Sequence, residues 1–322
     1  MMESVLTFGE ALLAFVPDQP GPLADGSGFH LHVAGAELNT AVGLSRLGIS
    51  AQFAGAIGAD ALGEKILKTL RAEGVEPALI ERTNECPSPL FVKEQVGLPL
   101  QTHVHYYRNQ SPMAQGYWTG DLAFRAIGEG RFAWAHATGI TWAIGKSAEA
   151  TAQKILEQAH QAGVTTSFDI NMRLKMRTRE EWRDILYQVL PFCDWLFLSD
   201  EEARLLLDED DAGVLEPRLR ERGFEGQGVV IKAGDRGVRV SVHGQEESAL
   251  AWKASVVDTV GAGDGFNAGF ICGMLRGYPL ADALRLGALV GAYAVTVKGD
   301  FDGYPTWAQA SQDLRGGPER LR

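Results

Sequence analysis

The run Asp258-Thr259-Val260-Gly261-Ala262-Gly263-Asp264 brings two kinds of chemistry together. Gly261, Ala262 and Gly263 are small enough for successive backbone N–H groups to converge on one anion. The next residues, Gly265-Phe266-Asn267-Ala268-Gly269-Phe270, read as the start of a helix. That places the N–H cluster at a helix N-terminus, where phosphate groups bind. Asp264 then stands within reach of the same anion. A carboxylate beside a phosphate is repelled unless it has a task, and taking a proton from an attacking hydroxyl is such a task.

Other segments offer supporting chemistry. In Ala34-Gly35-Ala36-Glu37-Leu38-Asn39-Thr40-Ala41, Gly35 lets a ligand approach the backbone, and Asn39 presents both a donor and an acceptor to hydroxyls. Ile231-Lys232-Ala233-Gly234-Asp235-Arg236-Gly237 is a glycine-bearing turn after a strand, open to a nucleotide reading or to a plain hairpin. Ser199-Asp200-Glu201-Glu202 reads by itself as an N-capping Ser before an acidic first helical turn. Gly145-Lys146-Ser147 falls one residue short of a P-loop, since position 140 is Ile and Gly139 comes too early. The pairs His30/His32 and His103/His105 each lie on one strand face and read as exposed sheet histidines. Gly261 to Phe266 does not complete the dinucleotide fingerprint of a dehydrogenase.

These residues must be positioned by an α/β framework. Strands are expected at Val5–Gly9, Gln52–Gly58, Phe132–Thr138, Thr165–Ile170, Trp195–Leu198, Val229–Lys232 and Val238–Val242. Helical spacing runs over Leu38–Leu47, Leu62–Leu70, Ala148–Ala162, Glu180–Val189 and Glu201–Leu207. Alternation of this kind implies a parallel sheet with helices on both faces. Pro17, Pro20, Gly21, Pro22, Gly26 and Gly28 break the chain into turns. Segments 90–96 and 102–107, with Gly97 and Pro99 between them, form a hairpin that joins Phe29–Val33 in a small separate sheet. The tail from Gly316-Gly317-Pro318 onward is expected to fray.

The 322 residues suffice for one large α/β domain or two smaller ones, and a hydrophobic fraction of 45% supports a sizeable core. A net charge of −11 argues against nucleic acid and anionic membranes as partners. Cys86, Cys193 and Cys272 are far apart, so neither a disulfide framework nor a zinc site is expected. With no basic, apolar leader at Met1-Met2-Glu3-Ser4-Val5, the expected location is the cytoplasm.

The 258–264 string closely resembles the C-terminal signature of the PfkB (ribokinase-like) sugar kinases, and Ala34–Ala41 resembles that family's first signature. The resemblance implies a ribokinase-like three-layer core with a mainly parallel central sheet flanked by helices, plus a small β-sheet lid. The core would take up about 1–9, 34–86 and 112–315, and the lid about 10–33 and 87–111. It implies Asp264 as catalytic base, with Gly261, Ala262 and Gly263 as the anion hole. ATP would be held by Asn171, Ser199, Lys232, Gly234, Gly237, Gly261, Gly263 and Asn267. Magnesium would be organised through water by Glu202, although Ser199 departs from the family's usual Asn. A monovalent cation such as potassium would sit near Asp258, Ala294, Val297 and Gly299. Within the family the chain looks most like the 2-keto-3-deoxygluconate kinases, through His105-Tyr106-Tyr107-Arg108 and Asp169-Ile170-Asn171-Met172-Arg173. Arg108 and Arg173 would then face the acceptor, where a guanidinium fork matches a sugar acid's carboxylate. Gly35, Asn39, Phe91, Tyr106, Ile140 and Asp300 complete the implied acceptor pocket. The alternatives are a fructokinase or another neutral-sugar or nucleoside kinase, and a non-catalytic sugar-binding regulator. A homodimer or higher homo-oligomer through the lid, with Val92, Val104 and Tyr106 on one exposed face, is also expected.

Overall fold

The computed structural model describes residues 4–25, 28–98 and 101–316. Gly26, Pro99 and the tail from Gly317 lie outside the described residues, as do Met1 to Glu3. In chain order the first elements are β1 (Ser4–Phe8), β2 (Leu12–Pro17), β3 (Phe29–Ala34), α1 (Ala36–Arg46), β4 (Ser50–Gly58), α2 (Ala61–Ala72) and β5 (Glu76–Thr83). Then come β6 (Leu90–Val96), β7 (Gln101–Tyr107), α3 (Asp121–Gly128), β8 (Trp134–Thr138), α4 (Gly139–Ile144), α5 (Lys146–Gln161), β9 (Thr165–Asp169) and α6 (Arg179–Val189). The remainder is β10 (Trp195–Ser199), α7 (Asp200–Leu207), α8 (Ala212–Arg220), β11 (Gly228–Lys232), β12 (Val238–Val242), β13 (Gln245–Ala249), α9 (Ala262–Leu275), α10 (Leu280–Ala294) and α11 (Trp307–Gly316).

A nine-stranded sheet runs in the order β13-β12-β11-β10-β9-β8-β1-β4-β5. All its pairs from β11 to β5 are parallel, whereas β12 and β13 add on antiparallel. Val238–Val242 is therefore an antiparallel addition and not part of the parallel run. Strand alternation sends neighbouring apolar side chains to opposite faces. Val5, Phe53, Phe197 and Val230 join a core with α1, α9 and α10, whereas Leu6, Ala54, Leu196, Leu198, Val229 and Ile231 join a second core with α5, α6 and α8. Helix, sheet and helix thus make the three expected layers. α9 and α10 are apolar around most of their surfaces because they pack on each other as well as on the sheet.

A second sheet of four strands runs β3-β2-β6-β7. Its β2 was not foreseen, because Pro17 and the glycines after it read as turns. Pro17 ends β2 opposite Phe29. One grouping made from sequence is overturned. Phe91 pairs with Tyr106 and Lys93 with Val104, so these four share one face; Val92 pairs with His105 and points the other way. Val92 cannot join Val104 and Tyr106 on one exposed face, and Val104 packs with Leu12, Ala14 and Phe91.

The parallel topology decides where chemistry can occur. β8, β9, β10 and β11 end at Thr138, Asp169, Ser199 and Lys232, all at the carboxyl edge of the sheet. Loops beyond that edge are the usual place for a ligand crevice in an open α/β sheet.

Candidate active site

Gly261 is the N-cap of α9 and takes a left-handed conformation, with φ 79°. A Cβ there would overlap the Asp300 carbonyl oxygen, so glycine is required by both conformation and space. Tyr304 Oη donates to the Gly261 carbonyl at 2.6 Å and fixes the turn from behind. The first helical hydrogen bond runs from Gly265 N–H to Gly261 O at 2.8 Å. The N–H groups of Gly263 and Asp264 meet no acceptor among the described residues, and Ala262 N–H reaches Thr259 O only at 3.4 Å. Free N–H groups at a helix start are what an anion needs. The free N–H groups of the first helical turn are thus those of Gly263 and Asp264, one place further along than the expected set of Gly261, Ala262 and Gly263.

Asp264 lies in the first turn of α9 and is 7% exposed. Asn39 Nδ2 donates to its Oδ2 at 2.8 Å, and Asn171 Nδ2 approaches its Oδ1 at 3.3 Å. Burial pushes its pKa up to about 8; the Asn39 bond opposes that rise, the Asp169 charge adds to it, and Lys232 and Arg173 oppose it. A carboxyl with a proton affinity near neutrality is suited to general-base work. Asn171 adopts a positive φ of 44°, and its side chain turns to Asp264. Asn39 stands on α1, whose N-cap Gly35 has a φ of 146°, and a Cβ there would overlap Glu10 O.

The sign of the Asp264 shift gives a stability prediction. Its folded pKa lies above its unfolded value, so the native state retains a proton that the unfolded chain releases. Stability from this group falls as pH rises from about 4 to about 8 and is level beyond. The melting temperature of Asp264→Asn minus that of wild type should therefore increase between pH 5 and pH 8. A difference that stays constant across that range would refute the shifted carboxyl.

Behind Asp264 lies a buried polar cluster. Asp169, 1% exposed, accepts from Lys232 Nζ at 2.5 Å, Asn267 Nδ2 at 2.6 Å and Asn171 N–H at 3.2 Å. Burial would raise its pKa, but the Lys232 charge and these donors together hold it below the usual carboxylate range. Asn267 is fully buried and its amide is committed to Asp169, so it supports the site from within. Lys232 Nζ also lies beside Gly263, next to the free N–H groups.

Ser199 and Glu202 form a capping box. Ser199 Oγ accepts from Glu202 N–H at 3.1 Å, and Glu202 Oε2 accepts from Ser199 N–H at 2.7 Å. The hydroxyl oxygen thus caps α7 as an acceptor, and its O–H is left to donate. Glu202 Oε1 accepts from Met172 N–H at 2.6 Å, and burial raises its pKa, with the Asp169 charge adding to the rise. Gly234 and Gly237 shape the turn after β11 with φ of 58° and 90°. Arg236 of that turn pairs with Asp200 at the start of α7. Lys146 is exposed and pairs with Glu149 on its own helix.

The residues expected around an acceptor come from the small sheet, α4 and the loops after β7, β9 and α10. Phe91 is buried and meets the Tyr106 ring at 5.6 Å, while Tyr106 remains 45% exposed. Arg108 is buried and its Nη2 lies 2.7 Å from Glu10 Oε2. Arg173 is exposed, donates to Met172 O at 2.9 Å, and makes no ion pair among the described residues. Asp300 is buried, with Lys93 Nζ of the small sheet 3.6 Å away; burial raises its pKa and Lys93 counters the rise. Ile140 opens α4 and is partly buried. Asp258 is tied to the 294–299 turn through its N–H to Val295 O at 3.3 Å; Gly299 has a φ of 116° there, near Ala294 and Val297.

Sequence reasoning missed five supporting residues: Glu10, Glu37, Lys93, Asp169 and Tyr304. Glu37 is fully buried and its Oε1 accepts from Thr138 Oγ1 at 2.8 Å and Thr141 Oγ1 at 2.7 Å, which locks α1 to α4. A glutamate inside an otherwise small and apolar helix start was the available signal.

Comparison with known proteins agrees with this geometry. The model of the pfkB family carbohydrate kinases matches residues 2–307. A 2-dehydro-3-deoxygluconokinase of Bacillus subtilis is 32% identical, with 95% of this chain and 94% of that protein covered. A 2-dehydro-3-deoxygalactonokinase of Haloferax volcanii is 30% identical over 98% of both chains. A fructokinase of Klebsiella pneumoniae is 30% identical over 95% of this chain and 97% of that protein. The crystal structure of a ribokinase II of E. coli in complex with ATP and magnesium shares the fold, with a TM-score of 0.85, 22% identity and coverage of 98% and 100%. No helix among the described residues is long and apolar enough to cross a membrane. With its signature cradle, its buried aspartate and a family match over nearly its whole length, this chain belongs to the pfkB family of carbohydrate kinases.

Proposed function

We propose that the protein phosphorylates the terminal primary hydroxyl of a sugar acid with ATP, with 2-keto-3-deoxy-D-gluconate as the leading acceptor and its 6-phosphate as product. The observation that carries this reading is Asp264, buried and held by two amides beside free backbone N–H groups. Asp264 takes the hydroxyl proton, the resulting oxygen attacks the γ-phosphorus, and the bond to ADP breaks. The N–H groups of Gly263 and Asp264 receive the charge on the transferred group, with Lys232 alongside. Bound magnesium would neutralise charge on the phosphates. Glu202 fits a metal held through water and phosphate oxygens, because each of its carboxylate oxygens accepts one N–H and retains a lone pair. The monovalent cation near Asp258, and pairing of two copies through the small sheet, remain part of the proposal.

Arg173 supports an anionic acceptor, since it is a free guanidinium whose field reaches Asp264. Arg173→Ala should raise KM for the sugar acid by about 10-fold or more and leave KM for fructose within about twofold. The test is initial-rate ADP release with a panel of keto-deoxy acids, hexoses and nucleosides. Equal effects on charged and neutral acceptors would remove the carboxylate argument. A fructokinase is the second reading, favoured by one observation: Glu10 already neutralises Arg108, so one of the two expected carboxylate readers is partly spent.

A further inference from the structure

We propose that Glu10 is a positioning residue for the acceptor pocket: buried where the small sheet joins the core, it orients the Arg108 guanidinium and sets the charge that a substrate meets there. The inference rests on the kinase reading and deepens it on the acceptor side.

Glu10 lies between β1 and β2, where the chain leaves the large sheet; Arg108 and Ser111 follow β7, where the chain returns. One carboxylate therefore bridges both connections. Its Oε1 accepts from Ser111 Oγ at 2.6 Å, and its Oε2 faces Arg108 Nη2 at 2.7 Å. Glu10 is 2% exposed, Ser111 1% and Arg108 9%. Ser111 is held in turn, because its Oγ accepts from Ala114 N–H at 3.2 Å. A Cβ at Gly35 would overlap the Glu10 carbonyl oxygen, so this glycine lets α1 start close against the same junction.

The other contacts of Arg108 are weak. Its Nη1 reaches Met176 Sδ at 3.7 Å, and its charge stands 5.7 Å from the Tyr106 ring. Nε and Nη2 meet no acceptor in hydrogen-bond geometry among the described residues, so the 2.7 Å contact with Glu10 is an ion pair off the line of the N–H bonds. A buried guanidinium with unspent N–H groups is costly until an acceptor oxygen arrives. Glu10 makes that charge tolerable and fixes its plane, and without it a buried charge stands alone. A neutralised pair offers donors without much net charge. Arg108 then reads an oxygen of the acceptor, and Arg173 supplies the net positive charge.

The test is a double-mutant cycle of Glu10→Gln, Arg108→Gln and the double variant, on whichever panel compound wild type phosphorylates. Glu10→Gln should raise the acceptor KM by about 10-fold or more while the ATP KM moves less than about twofold. The double variant should be no worse than Arg108→Gln alone, within about twofold, because both changes remove one function. Ser111→Ala keeps both charges and loosens only the carboxylate; it should raise the acceptor KM in the same direction by a smaller factor. It serves if Glu10→Gln does not fold. Effects that multiply in the double variant, or acceptor and ATP KM rising together, would overturn the role of Glu10. An unchanged acceptor KM in both Glu10→Gln and Ser111→Ala would do so too. Wild type that phosphorylates nothing on the panel would instead overturn the acceptor reading on which the role depends.

Discussion

Replacing Asp264 with Asn should lower kcat for phosphoryl transfer by about 10²–10⁴ while ATP binding changes little. Asparagine keeps the size of the side chain and its place in the first turn of α9. It cannot take a proton. The cradle N–H groups belong to the backbone and are unchanged, so the affinity for ATP, read by titration of the nucleotide, should stay within a few-fold. Asn39 and Asn171 donate to the two carboxylate oxygens. These amides prevent the carboxyl from rotating away and leave its remaining lone pairs for a substrate hydroxyl. Turnover within tenfold of wild type would remove Asp264 from the role of base.

The second large effect is expected at Gly261. Gly261→Ala places a methyl where the Asp300 carbonyl oxygen lies, on a residue with φ 79°. The strain is on the order of 1–3 kcal/mol for the backbone alone. The overlap must be relieved by moving the turn away from Asp300 and Tyr304, and the N–H groups move with it. Loss of an aimed anion donor lowers kcat by about 10²–10³. Gly263→Ala is the internal control. Its added carbon would meet only the flexible end of Lys232, at 3.3 Å, and its φ is not positive. A kcat loss of less than about tenfold is expected there. Similar losses in the two variants, measured by ADP release and checked by thermal melting, would contradict the geometric account of the cradle.

The parts legible from the sequence were local. Gly-Ala-Gly-Asp before an apolar helix specifies a turn, a helix start and a carboxylate by short-range rules alone. The alternation of strands and helices likewise follows from periodicity, and the layers emerged as expected. What escaped reading depends on contacts between distant segments. Glu10 meets Ser111, and Glu37 meets Thr138, each across 101 positions. No spacing in one sequence reports such pairs. The same limit hid two further contacts. Asn267 follows Asp264 by less than one helical turn, yet its amide bonds Asp169 on a distant strand. Ser199 was legible in two ways, and the structure shows its capping box. Val92 and Val104 looked equivalent until strand register put them on opposite faces.

The most direct test of a proton-accepting carboxylate beside an anion cradle is a crystal structure with ADP, magnesium, aluminium fluoride and the phosphorylated panel compound. The account predicts the fluoride group against the N–H groups of Gly263 and Asp264, with the acceptor hydroxyl within hydrogen-bond distance of an Asp264 oxygen. A fluoride group bound elsewhere, or an acceptor whose hydroxyl points away from Asp264, would contradict it.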